Sequence, residues 1–352
     1  MRRVVLLGAL VVLLLAFAVP AAHAGGSSSR PTVRPCNGHV ELCSRRLDEV
    51  ALAGTHNSMS AAQLNWTGPN QLYDIPTQLR RGVHAMLIDT YYGIRQPNGI
   101  VVTVQADMAR AQRELGSAAV AKALHARRTA GARAAGARPQ VYLCHVLCEL
   151  GATPLLTAFR AVHRHLRANP REVLLFINED HVRPDDYAAV VRASRLIDEV
   201  YRGSATRWPT LATMIARDQR VVMLAENDSG TVPWYHVGYD GVLQETPYSW
   251  PTTADLTDRA NLPASCRPFR GGTRGRLFLL NHWVSTGVPQ RANAQIVNAY
   301  RPLLARARTC RRLRSRQPTI VAIDFFGIGN LLAVVDRLNA IPTHRPRPPF
   351  TG

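Results

Sequence analysis

Short apolar runs rich in Val, Leu and Ile punctuate the chain at residues 50–53, 85–88, 141–143, 173–177, 221–225, 277–280 and 320–323. Bounded by polar or turn-forming residues, such runs predict buried strands. The stretches at 154–167, 184–201, 290–308 and 331–339 are amphipathic and of helical length. Strands alternating with helices indicate the α/β class with a parallel sheet. The number of runs, and the lack of a Gly-x-Gly-x-x-Gly after the first, favour a TIM-type (β/α) barrel over a dinucleotide-binding sheet. The barrel is expected to be irregular. An Arg/Ala-rich segment, residues 108–140, separates the second and third runs and reads as a peripheral helix and flexible loop.

Composition changes this picture little. Of the 352 residues, 46% are hydrophobic and 19% charged, an ordinary globular balance that excludes wholesale disorder. The formal charge of +19 comes from 43 basic against 24 acidic side chains, and Lys122 is the single lysine. So strong an arginine bias reads as genome composition. The basic residues are not interleaved with aromatics, and no specific nucleic-acid partner is expected. The arginine cluster at 306–316 reads as a solvated helix face.

The N-terminus assigns a compartment. Arg2 and Arg3 precede an uncharged apolar run, Pro20 breaks it, and Ala22-His23-Ala24 offers a small-x-small cleavage site. Residues 1–24 therefore read as a signal peptide rather than an anchor, which leaves a mature chain of charge +17 secreted to the extracellular space or cell envelope. Residues 25–47 form a leader holding Cys36 and Cys43, residues 48–341 the barrel, and residues 342–352 a disordered Pro-rich tail. Six cysteines in an oxidising compartment imply bridges. Local spacing suggests Cys36–Cys43 and Cys144–Cys148, with Cys266–Cys310 left by elimination. A zinc site is the competing reading.

Chemistry gathers where the strands end. In a barrel the catalytic groups sit at the C-terminal ends of the strands. Here the runs end in His56-Asn57-Ser58, Asp89, His145, Asn178-Glu179-Asp180, Glu226-Asn227, Asn281-His282 and Asp324. Two histidines from different strands can act as base and acid in one displacement, because each holds either protonation state near neutral pH. A carboxylate such as Asp324 can fix the tautomer of one of them. Asn57, Asp89 and Glu179 are oxygen donors of the kind calcium or magnesium prefers. A hard cation beside an acid–base pair suits phosphodiester cleavage.

The segment Leu52-Ala53-Gly54-Thr55-His56-Asn57-Ser58-Met59 resembles the first signature of the phosphatidylinositol-specific phospholipase C X-domain superfamily, the PLC-like phosphodiesterases. Later segments follow in the family's order: Ala85 to Asp89, Leu143-Cys144-His145 with Cys148, Ile177 to Val182, Trp208 to Leu211, and Ala322 to Phe326. The resemblance implies a barrel phosphodiesterase with His56 as general base, His145 as general acid and Asp324 orienting His56. It also implies calcium, or magnesium, at Asn57, Asp89 and Glu179. One departure stands out: Leu87 replaces the second acid that metal-dependent members carry two residues before Asp89. The expected substrate is a phospholipid or another phosphodiester, met by a monomer in transient contact with a membrane surface. Two alternatives stay open, namely a barrel enzyme for glycerophosphodiesters or sphingolipids, and a secreted binding protein without turnover.

Overall fold

The computed structural model describes residues 34–131 and 137–342. The expected signal peptide, the first part of the leader, residues 132–136 of the 108–140 segment and the tail from residue 343 lie outside them. Eleven strands form among the described residues: β1 (Leu52–Thr55), β2 (Ala85–Arg95), β3 (Val101–Thr103), β4 (Gln140–Leu143), β5 (Thr153–Pro154), β6 (Leu174–Asp180), β7 (Val221–Ala225), β8 (Tyr235–Val237), β9 (Leu243–Glu245), β10 (Leu277–His282) and β11 (Ile320–Ile323). Eight of them lie side by side in the order β8-β7-β6-β2-β1-β11-β10-β9. Every pairing along that path is parallel. The class is α/β, with the curled sheet of a TIM-type barrel.

The helices are α1 (Ile75–Arg80), α2 (Met108–Thr129), α3 (Leu155–Ala168), α4 (Pro184–Ala193), α5 (Leu211–Ala216), α6 (Ala254–Thr257), α7 (Leu262–Ser265), α8 (Arg291–Val297), α9 (Tyr300–Leu313) and α10 (Leu331–Leu338). Their apolar stripes explain their packing. On α3 the buried residues Leu155, Ala158, Phe159, Val162 and Leu166 recur at helical spacing. The expected helix over 184–201 stops early, because Arg195 takes a left-handed conformation and the chain continues as a 3-10 turn. The expected helix over 290–308 is two, broken at Asn298, whose side chain turns in to donate to the carbonyls of Asp324 (2.9 Å) and Ile328 (3.3 Å).

Two interleaved apolar clusters follow from the two-residue period of a strand. Leu52, Leu87, Leu175, Ile177, Val222, Leu224, Leu279, Ile320 and Ala322 pack together on the inside of the sheet. Their neighbours Ala53, Met86, Ile88, Phe176, Met223, Phe278 and Ile323 face the helices. Gly54 lets β1 approach β11, since a β-carbon there would lie 2.7 Å from Ile320.

Residues 141–143 are not a barrel strand. β2 runs on past the barrel to Arg95, and its free edge takes β4 and β3 antiparallel. Gly93 makes room, because a β-carbon there would meet Val101 at 2.5 Å and Tyr142 at 2.9 Å. The path's two ends, β8 and β9, share no ladder among the described residues. Arg270 clamps this seam: its guanidinium meets Glu226, just beyond β7, at 2.5 Å and Glu245 of β9 at 2.5 Å. All six cysteines are bridged, as Cys36–Cys43, Cys144–Cys148 and Cys266–Cys310, so the thiolates a zinc site would need are already used. No helix among the described residues is long and apolar enough to cross a membrane.

Candidate active site

The alternation that buries the inner cluster also selects which strand-end residues face the mouth. Asp89, Glu179, Glu226, Glu245, Asn281 and Asp324 stand in phase with the inner apolar residues two positions before them. Asn178, Asp180 and His282 are out of phase and do structural work. Asn178 donates to the Tyr235 hydroxyl at 2.7 Å, and His282 meets the Val297 carbonyl at 2.9 Å. Asp180 accepts from the backbone N–H groups of Glu226, Asn227 and Asp228 at 2.9–3.0 Å.

His56 leaves β1 on a tightly pinned turn. Its N–H donates to the Ile323 carbonyl at 3.0 Å, and its carbonyl accepts from the Gln71 side chain at 2.7 Å. Asn57 follows in the left-handed region at φ 44°, which asparagine tolerates better than most residues. The imidazole Nδ1 lies 2.9 Å from Asp324 Oδ1, and the ring stacks on Trp283 at 3.8 Å between centroids and 4° between planes. Asn70 donates to the same Asp324 oxygen at 3.2 Å. With Asp324 accepting the hydrogen bond from Nδ1–H, the tautomer that leaves the Nε2 lone pair free is the favoured neutral form. One terminal atom of the Asn57 amide lies 3.2 Å from Nε2, and the other lies 3.2 Å from both Asp89 oxygens.

Asp89 and Glu179 are register partners on neighbouring strands, and their environments drive them apart. Burial, then the charge of Glu179, pushes the Asp89 carboxyl well above its ordinary range. Burial also acts to raise Glu179, but a 2.8 Å contact with His181 and the Arg110 guanidinium outweigh it and hold Glu179 down at about 2.

His145 lies in the short loop closed by Cys144–Cys148, with Val146 left-handed behind it and Leu147 N–H bonded to its carbonyl at 2.6 Å. Burial, then the nearby charge of His56, lowers His145 to about 4. Its Nε2 is 3.9 Å from Glu114.

The segment expected to be peripheral is part of this site. Asp107 caps α2 by accepting from Arg110 N–H at 2.8 Å. The helix breaks at Gly116, where φ is 79° and ψ 166°. Ala111, Val120 and Ala123 pack on Val146, Leu147 and Leu150, against the His145 loop. Arg110 then reaches into the mouth: Nη2 pairs with Glu179, Nη1 lies 2.7 Å from His181, and Nε donates to Glu114 at 2.8 Å. A cavity of about 200 Å³ opens beside it, lined by Tyr91, Tyr92, Thr103, Asp107 and His181 among others.

Asn57, Asp89 and Glu179 are thus brought together, but not as a set that fits a divalent cation. Glu179 is engaged by Arg110, Glu226 by Arg270, and Leu87 on the Asp89 face is apolar. Among the described residues no three His, Cys, Asp or Glu side chains gather as a metal site. Arg110, Glu114, Asn70, Trp283 and Arg270 escaped the sequence reading. Trp283 carried a signal, since it directly follows a strand end. Arg110 had none, because its segment reads as low-complexity arginine and alanine.

A family model described as PI-PLC X 1 matches residues 125–339, a stretch that includes His145, Glu179 and Asp324. The chain is 27% identical over 331 residues to an "Uncharacterized secreted protein" of Arthroderma benhamiae, covering 86% of this chain and 62% of the relative's length. It is 23% identical over 335 residues to the "PI-PLC X domain-containing protein 1" of the same fungus, covering 89% of this chain and 93% of that one. Structures of altered forms of phosphatidylinositol-specific phospholipase C from Staphylococcus aureus also superpose. One has a TM-score of 0.49 at 13% identity over 84% of this chain and 93% of the other; a second has 0.48 at 12% over 87% and 96%. The matched family model spans more than half of the sequence, and the chain belongs to the PI-PLC X family.

Proposed function

We propose that the protein is a secreted phosphodiesterase of the phospholipase C type that works by paired-histidine acid–base catalysis. The observation that carries this reading is the Asp324–His56 pair, set at the barrel mouth beside His145. His56 Nε2 takes the proton of the attacking hydroxyl, whether an internal hydroxyl of the head group or water. As the new P–O bond forms, Asp324 stabilises the imidazolium. The bond to the departing alcohol oxygen breaks, and His145 gives that oxygen its proton. His145 is neutral in the free protein at pH 7. An entering phosphodiester anion opposes the effects that hold it low, so the acid arms itself on binding. Secretion is supported by the three bridges and by the secreted fungal relative. The names of the relatives point the first assay to phosphatidylinositol.

The test is release of water-soluble phosphate ester from phosphatidylinositol vesicles by the purified protein, followed by sphingomyelin and glycerophosphodiesters. Turnover of one of these is the expected result. Silence on all three overturns the enzyme reading in favour of a binding protein.

A further inference from the structure

We propose that Arg110, delivered by the inserted helix α2, takes the place of a divalent cation at Glu179, so that the mouth is neutralised by the protein's own guanidinium and binds no calcium. The proposal concerns the site assigned above, but its main test needs no substrate.

Three observations carry it. First, Arg110 is held by two acids, with Nη2 on Glu179 in the mouth and Nε on Glu114 one turn along α2, while Nη1 lies 2.7 Å from His181. Calcium takes six to eight oxygens at about 2.3–2.6 Å, and here Arg110 and His181 both hold Oε1 of Glu179, so a cation would have to displace a fixed positive charge to use that oxygen. Second, with Glu179 taken, too few donors remain free around Asp89. Glu226, the next acid toward Asp89, is paired with Arg270 at 2.5 Å, and Leu87 lies on the Asp89 face, which leaves the Asn57 amide and Asp89 within 3.2 Å of one another. Third, Arg110 is anchored. The Asp107 cap fixes its helical turn, buried Ala111 packs that turn on the His145 loop, and beyond the Gly116 break the Arg127–Glu149 pair at 2.5 Å holds the rest of α2. Arginine keeps its charge throughout the working pH range and offers planar donors to carboxylate or phosphate. A phosphodiester approaching this acid-lined mouth therefore meets Arg110 as its counter-charge.

The test is titration of EDTA-stripped protein with calcium, by calorimetry and thermal melting. Wild type is expected to show no saturable heat and no shift of its melting temperature up to about 1 mM calcium. Arg110→Met is expected to gain a saturable calcium site that Glu179→Gln then removes. Stoichiometric binding by wild type at a Kd below about 100 µM overturns the proposal, and this arm stands alone if Arg110→Met fails to fold. A folded Arg110→Met that binds no calcium also overturns it. With an active substrate in hand, wild-type turnover should survive EDTA and fall at least about 10-fold in Arg110→Met; loss of wild-type turnover in EDTA counts against the proposal.

Discussion

His145 occupies a place where a positive charge is disfavoured, and that has a consequence for stability. Its pKa falls from 6.5 to about 4 through burial and the neighbouring charge of His56. Between these values the unfolded chain holds a proton that the folded chain does not. Stability must therefore fall as pH drops through that window and be unaffected by this group above it. His145→Ala should flatten the melting-temperature profile between pH 6.5 and 4 relative to wild type. Identical profiles would show that His145 is not held neutral. His56 differs through its partners: Asp324 at 2.9 Å and Trp283 at 3.8 Å fix the ring's direction and plane. These residues were legible because strand-end histidines and acids stand out against apolar runs. What could not be read was which of them face inward. His282 looked equivalent to His145 in the sequence, yet it is wholly buried and bound to Arg306 and Val297.

At the scale of elements, the apolar runs located β1, β2, β6, β7, β10 and β11, because strands buried on both faces read as unbroken Val, Leu and Ile. Residues 141–143 have the same composition and a different fate. They pair with the overhanging half of β2, a distinction made by β2's length and by Gly93, not by anything local. β8 and β9 are three residues each and leave no periodic signal. The 108–140 segment forms the expected helix but is not peripheral, for a physical reason. Its composition is that of a solvated helix, and only tertiary packing of Ala111, Val120 and Ala123 on the His145 loop turns Arg110 inward.

The molecule as a whole is held at its open seam by a side chain. Arg270 joins Glu226 to Glu245 across the ends of the strand path, with Tyr239 below its guanidinium at 4.2 Å. Removing one partner of such a cluster leaves acids with no counter-charge. Arg270→Met should lower stability in urea unfolding by on the order of 3 kcal/mol, and adding Glu226→Gln should recover part of it. A change below about 0.5 kcal/mol would mean that the seam is closed by other contacts. The barrel was foreseeable from alternation alone. Its closure was not, since Glu226, Glu245 and Arg270 are distant in sequence and belong to no motif.

We propose that two histidines from different parts of this barrel divide the work of cleaving a phosphodiester. The most direct measurement is turnover of the active substrate by wild type, His56→Ala and His145→Ala at matched concentration, with circular dichroism verifying each fold. Each variant should lose about 100-fold or more in kcat while remaining folded. A folded variant of either kind that turns over at close to the wild-type rate would remove that histidine from the acid–base pair.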